Sequence, residues 1–138
     1  MRNLLIVFLA CCALGFSVVT GAAELSAQDK KLLEEIGVPP YPDAQYVNGS
    51  LAGMTGVRFA TSDGVEKVRN WYQEKFPKWA VDAKYGTWIL YNGKPDGGPA
   101  EYMSKTQVMV IENKNLQQWF GLPASMTTEI VIMLPMIQ

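Results

Sequence analysis

The stretch Asp63-Gly64-Val65-Glu66-Lys67-Val68-Arg69-Asn70-Trp71-Tyr72-Gln73-Glu74-Lys75-Phe76-Pro77 decides how this chain folds. Val65, Val68, Tyr72 and Phe76 recur at helical spacing and share one face. Glu66, Lys67, Arg69, Gln73 and Glu74 fill the opposite side. Asp63 followed by Glu66 three residues later is a capping-box arrangement, and Pro77 cannot continue the helix. A helix with one apolar stripe must bury it, and the segments on either side of this one read as strands.

Upstream, Asp43 to Val47 begins a strand, and Val57-Arg58-Phe59-Ala60-Thr61 alternates apolar and polar residues. Asn48-Gly49 between them is a hairpin signal, because both positions tolerate positive φ. Asn48-Gly49-Ser50 also spells an N-glycosylation acceptor. Downstream, Trp79 to Tyr85 and Thr87 to Tyr91 read as strands separated by Gly86. Gln107 to Glu112 and Glu129 to Leu134 are apolar on both faces, the mark of central strands. Asn92 to Pro99 reads as a long turn-rich loop. Leu116-Gln117-Gln118-Trp119-Phe120 reads as a helical turn closed by Gly121. Ser26 to Gly37 reads as a short first helix, with Pro39, Pro40 and Pro42 stiffening the segment behind it. Short connections favour antiparallel pairing. The expected fold is α+β: a mostly antiparallel sheet, one long amphipathic helix packed on one face, and a short N-terminal helix.

Outward again, the beginning of the chain has the layout of a secretory signal. Arg2 supplies positive charge, Leu4 to Val19 form an apolar run, and Gly21 and Ala23 are the small residues that a signal peptidase accepts. The expectation is a signal peptide over residues 1–23, cleaved after Ala23, and a single domain over residues 24–138 that is periplasmic or secreted. The alternatives are an uncleaved anchor, although the run is shorter than the roughly 20 residues of a membrane span, and lipidation at Cys11 or Cys12. Cys11 follows Ala10, but only a short apolar stretch precedes it, and Cys12 follows another cysteine. Both read better as apolar leader residues.

The domain after Ala23 holds no cysteine, so packing rather than a disulfide must stabilise it. Charge is nearly balanced, at 12 Lys+Arg against 13 Asp+Glu. No basic stripe is present, which argues against nucleic acid, and no basic amphipathic helix argues for a membrane role beyond export. The chain contains no histidine. Serine–histidine triads, cysteine–histidine dyads, histidine-ligated zinc and imidazole pH switches are thereby excluded.

The remaining candidates are few. Asp63 and Glu66 could be an acid/base pair, but a helix start explains both. Met103, Met109, Met126, Met133 and Met136 could offer thioethers to Cu(I), yet Met109 and Met133 lie within apolar strands, where methionine is ordinary filler. Asp96 is the one acidic residue in the Asn92–Pro99 loop, too few for calcium. Trp71, Trp79, Trp88, Trp119, Tyr85 and Tyr91 could stack against sugars or peptides, although strand aromatics are more often core. Trp71 falls beside the apolar helix face, and Trp119 and Phe120 sit on a short connection. Trp119, Phe120 and Trp71 are therefore the candidate partner-binding residues.

Tyr41-Pro42-Asp43-Ala44, Phe59-Ala60-Thr61-Ser62-Asp63, Val68 to Phe76 and Trp79 together resemble a pattern in a family of small exported bacterial α+β proteins and lipoproteins. There a Tyr-Pro-x-Ala segment precedes a strand ending in Thr, and a helix with an aromatic-Tyr pair ends near a Trp. The resemblance covers roughly 40 residues. It implies the α+β fold and a bacterial envelope location, and it transfers no catalytic residue. The resulting expectation is a non-catalytic binding protein without metal or cofactor, its partner an envelope protein or cell-wall component. The alternatives are a small hydrolase cleaving envelope glycan with carboxylates alone, and an inhibitor of a secreted hydrolase.

Overall fold

The computed structural model describes residues 24–47, 51 and 54–135. Cys11, Cys12, the Ala23 cleavage position, the Asn48-Gly49 turn with its glycosylation acceptor, and Met136 lie outside the described residues. The elements run α1 (Ala27–Ile36), β1 (Gln45–Val47), β2 (Gly56–Thr61), α2 (Val65–Lys75), β3 (Ala80–Asp82), β4 (Ile89–Tyr91), α3 (Gly98–Met103), β5 (Gln107–Glu112), α4 (Leu116–Phe120) and β6 (Thr128–Met133). The fold is α+β. All six strands form one antiparallel sheet in the order β1-β2-β6-β5-β4-β3. The two central strands are β5 and β6, the ones whose residues are apolar on both faces. No described helix is long and apolar enough to cross a membrane.

Strand alternation sends residues to two different faces. One face carries Val57, Phe59, Leu90, Val108, Val110, Ile130 and Ile132, and it packs with Val68 and Tyr72 of α2, Leu33 of α1, and Val38 and Tyr41 of the proline segment. Val68, Tyr72, Val108, Val110, Ile130 and Ile132 have no solvent exposure. Tyr72 also donates its hydroxyl to the Pro39 carbonyl at 3.1 Å, so the core holds the linker down. Strand β5 extends past the short β4, which pairs only with Gln107 to Met109. Arg69 fills this gap: its Nε and Nη2 donate to the Val110 carbonyl at 3.3 and 3.0 Å, and its guanidinium lies over Trp88.

The opposite face is covered by three smaller pieces. Leu116 of α4, with Leu122, packs on Val47 and Ala60. Leu51 packs on Val131 and Met133. Tyr102 of α3 joins Ala80, Ile89 and Tyr91. Gly56 makes the second of these possible. A Cβ there would collide with the Ile132 carbonyl and meet the Leu51 side chain at 2.8 Å.

The 11 residues of α2 are matched by the 10 of α1, while α3 and α4 lie on the other side of the sheet. Two sequence expectations are corrected. Asp63 is not the cap of α2. Gly64 holds that position without a side-chain bond, because the Asp63 carboxylate is drawn to Tyr41 and Lys67 instead. The Asn92–Pro99 segment is not loop throughout. α3 begins at Gly98, with Pro99 in its first turn, where a missing N–H costs nothing.

Candidate binding surface

Helix α4 is only five residues long, so its sequence alone cannot hold it. Three anchors do. Leu116 is fully buried. Asn113 donates its side-chain amide to Glu129 Oε2 at 2.6 Å, and its backbone N–H to the Thr127 carbonyl at 2.7 Å. Gly121 ends the helix in the left-handed conformation at φ 65° and donates its N–H to the Gln117 carbonyl. Phe120, one turn after Leu116, is half-buried and packs on the same cluster. Trp119 falls between these anchors and is left 61% exposed. Its ring meets that of Phe120 edge-on at 6.5 Å.

Beside α4 lies the most enclosed charge pair among the described residues. Arg58 on β2 and Glu129 on β6 are diagonal neighbours, since Arg58 faces Val131 and Ala60 faces Glu129. Arg58 Nε and Glu129 Oε1 are 2.7 Å apart, with side chains only 15% and 10% exposed. The contact is close but poorly aligned. Among the described residues Arg58 Nε has no hydrogen-bond partner, so Coulombic attraction holds the pair together. Phe120 covers the guanidinium, its ring centre 5.0 Å from Arg58 Cζ. Both charges line a half-open cleft of about 250 Å³ whose other walls include Met54, Met109, Val131 and Met133. A larger concavity of about 390 Å³ runs between α1 and the proline segment, lined by Leu25, Leu33, Val38 and Pro39. Its charged neighbours, Lys30 and Glu34, are exposed on α1, so it offers apolar surface without an oriented polar group.

The structure separates the three candidate aromatics. Trp119 and Phe120 stand on the α4 side of the sheet. Trp71 is on α2, across the sheet, half-buried at the edge of the main core, with Tyr41 and Tyr72 edge-on at 5.4 and 4.8 Å. Of the other aromatics, Trp79 and Trp88 pack against the main core and Tyr91 is fully buried, whereas Tyr85 is exposed. Asp63 and Glu66 do not form an acid/base pair. Asp63 accepts the Tyr41 hydroxyl at 2.6 Å and binds Lys67 at 3.0 Å, while Glu66 pairs with Arg69 at 2.9 Å. The Tyr41 hydroxyl, and then Lys67, hold the Asp63 carboxyl below its usual range. Tyr41 in turn is pushed up to about 12, chiefly by burial and then by Asp63. Met109 and Met133 share a sheet face and line the cleft with Met54, whereas Met126 packs beside α4. Among the described residues no group of three or more Asp, Glu, Cys or His residues is placed to hold a metal.

Two features of this surface were not readable along the chain. The Arg58–Glu129 pair joins residues far apart in sequence, and only the diagonal register of β2 and β6 unites them. The methionine-lined cleft likewise needs β5, β6 and the β1–β2 connection together. The exposure of Trp119 was partly legible, as an aromatic on a short connection closed by glycine.

Chemically, the α4 side offers an exposed indole on an anchored support and a small apolar cleft with one enclosed charge pair. A two-carboxylate glycan-cleaving centre needs carboxylates about 5–10 Å apart flanking one bond. Three concavities of the described residues each carry a single acidic side chain, Glu34, Glu129 and Glu74 respectively. No family model, no curated protein and no solved structure matches this chain.

Proposed function

We propose that this chain is an exported, non-catalytic binding protein, released as residues 24–138, and that it engages a protein of the cell envelope through the side of the sheet carrying α4. One observation supports this most: Trp119 is held in solvent on a helix that Leu116, Asn113 and Gly121 fix in place. An exposed indole on an anchored helix offers a large apolar contact at little backbone cost on binding, and tryptophan dominates the energetics of many interfaces. The cleft beside it can accept an apolar partner side chain, and the enclosed Arg58–Glu129 pair in its wall gives that contact polarity.

The test is capture from an envelope extract of the native host, followed by identification of what is retained. The purified protein retains a discrete protein, and Trp119→Ala loses it while thermal stability stays level. Equal capture by the variant, retention of glycan fragments alone, or a natural product that begins at Met1 overturns this reading.

A further inference from the structure

The sheet brings together three methionines that lie far apart in the sequence. Met109 on β5 faces Val131 of β6, and Met133 of β6 faces Gln107. The two methionines are therefore diagonal neighbours on one face, a spacing that long side chains can bridge. Met54 enters from the β1–β2 connection. Its N–H donates to the Leu51 carbonyl at 3.1 Å, and Leu51 packs on Val131 and Met133. All three methionines line the half-open cleft of about 250 Å³. Met133 is buried, Met109 is half-buried, and Met54 is 39% exposed. Two thioethers are thus set back from solvent and one stands at the entrance.

The rest of the lining decides what these side chains can bind. Leu51, Ile111 and Val131 carry no side-chain donor atom. Glu129 is the one carboxylate among the described lining residues, and both of its oxygens are engaged. Oε1 lies 2.7 Å from Arg58 Nε, and Oε2 accepts from the Asn113 amide at 2.6 Å. The free donors of the cleft are therefore sulfur. Calcium and magnesium require several oxygen ligands, and zinc takes thiolate, imidazole or carboxylate. Thioethers select Cu(I), whereas Cu(II) prefers nitrogen and oxygen. The charges permit a monovalent cation. Glu129 offsets Arg58, whose guanidinium is covered by the Phe120 ring. Methionine has three rotatable bonds, so its sulfur can adjust to an ion while the strands stay in place.

We propose that Met54, Met109 and Met133 form a three-thioether binding site for Cu(I). The ion enters past Met54, and the apolar walls keep competing water away from it. The site goes beyond the Trp119 contact and depends neither on it nor on export.

The experiment is an anaerobic Cu(I) titration of the full chain carrying Cys11→Ser and Cys12→Ser, which removes its two thiols. Competition with bicinchoninate reads the affinity, and NMR of isotope-labelled methionine methyl groups reads the place. The expected result is a single bound Cu(I) that Ag(I) displaces. The methyl signals of Met54, Met109 and Met133 shift, and those of Met103 and Met126 stay. Met54→Leu and Met109→Leu nearly conserve volume and leave the melting temperature close to that of the parent. Each is expected to weaken Cu(I) binding about 10- to 100-fold, at least the effect of losing an outer-shell partner of a metal ligand. Trp119→Ala binds Cu(I) as the parent does, which separates this site from the partner contact. Undiminished binding in both Leu variants overturns the proposal. So do equal shifts at Met103 and Met126, the sign of adventitious surface binding, and preferential binding of Zn(II).

Discussion

The two sides of the sheet are built on different plans. On the side of α1 and α2, one continuous core runs from Leu33 through Tyr72 to Ile132, and six of its side chains have no exposure. On the other side, three short pieces each cover a few residues, leaving a cleft, an enclosed ion pair and an exposed indole. Continuous burial gives cooperativity and stability. A tiled surface leaves seams, and seams are where polar groups and partner contacts can be accommodated. The comparison teaches that continuous burial and open seams fall on opposite faces of one sheet.

The largest test of that division is Tyr72→Ala. It removes a fully buried ring and the bond to Pro39, and it is expected to lower unfolding free energy by about 3–5 kcal/mol. Chemical denaturation measures this. A loss well under 1 kcal/mol would show that the α2 side is not the stabilising one.

Next in size is the ion pair. Glu129→Ala leaves Arg58 enclosed without its carboxylate, and a loss of about 3 kcal/mol is expected. The double variant Arg58→Met, Glu129→Leu removes both charges and is expected to recover most of that loss. If the double variant is as unstable as the single, packing rather than charge explains the effect.

A smaller effect is confined to pH extremes, on the α2 side. Asp63 is held below the ordinary carboxylate range, so its stabilisation is complete above roughly pH 5 and disappears as acid protonates the folded state. Tyr41 is raised to about 12, so its contribution is complete below about pH 10 and is lost as the pH climbs through 12. Asp63→Asn is expected to flatten the acid limb of melting temperature against pH, and Tyr41→Phe the alkaline limb. Limbs that persist unchanged in the variants assign the pH response to other groups.

The smallest stability effect belongs to Trp119→Ala. Because the ring is 61% exposed, the change in stability should stay within about 0.5 kcal/mol. A loss of 2 kcal/mol or more would make Trp119 part of the structure and remove the division between the faces.

Much of this architecture was legible because some segments carry their own period. The apolar stripe of α2 and the all-apolar β5 and β6 mark a helix-covered sheet and its centre without reference to any contact. The turn at Gly121 was readable because it needs positive φ. The α3 helix was hidden by its start, where Gly97, Gly98 and Pro99 look like loop; the proline in the first turn was the available sign. Asp63 was misread because a local cap and a distant tyrosine compete for the same carboxylate, and the tyrosine, 22 residues away, prevails. Which aromatics share a surface was not legible. Trp71 and Trp119 lie on opposite sides because of strand order, which no local pattern encodes. The same holds for the Arg58–Glu129 pair.

Strand order also governs when this protein can fold. Strand β6 sits between β2 and β5 and pairs with each along its whole length. Until Thr128 to Met133 has left the ribosome, the chain has a β1–β2 pair and a β3–β4–β5 group with no strand to join them. Closing pairings of such long sequence separation comes late and slowly. Synthesis therefore carries the chain past Met133 before the six-stranded sheet can close.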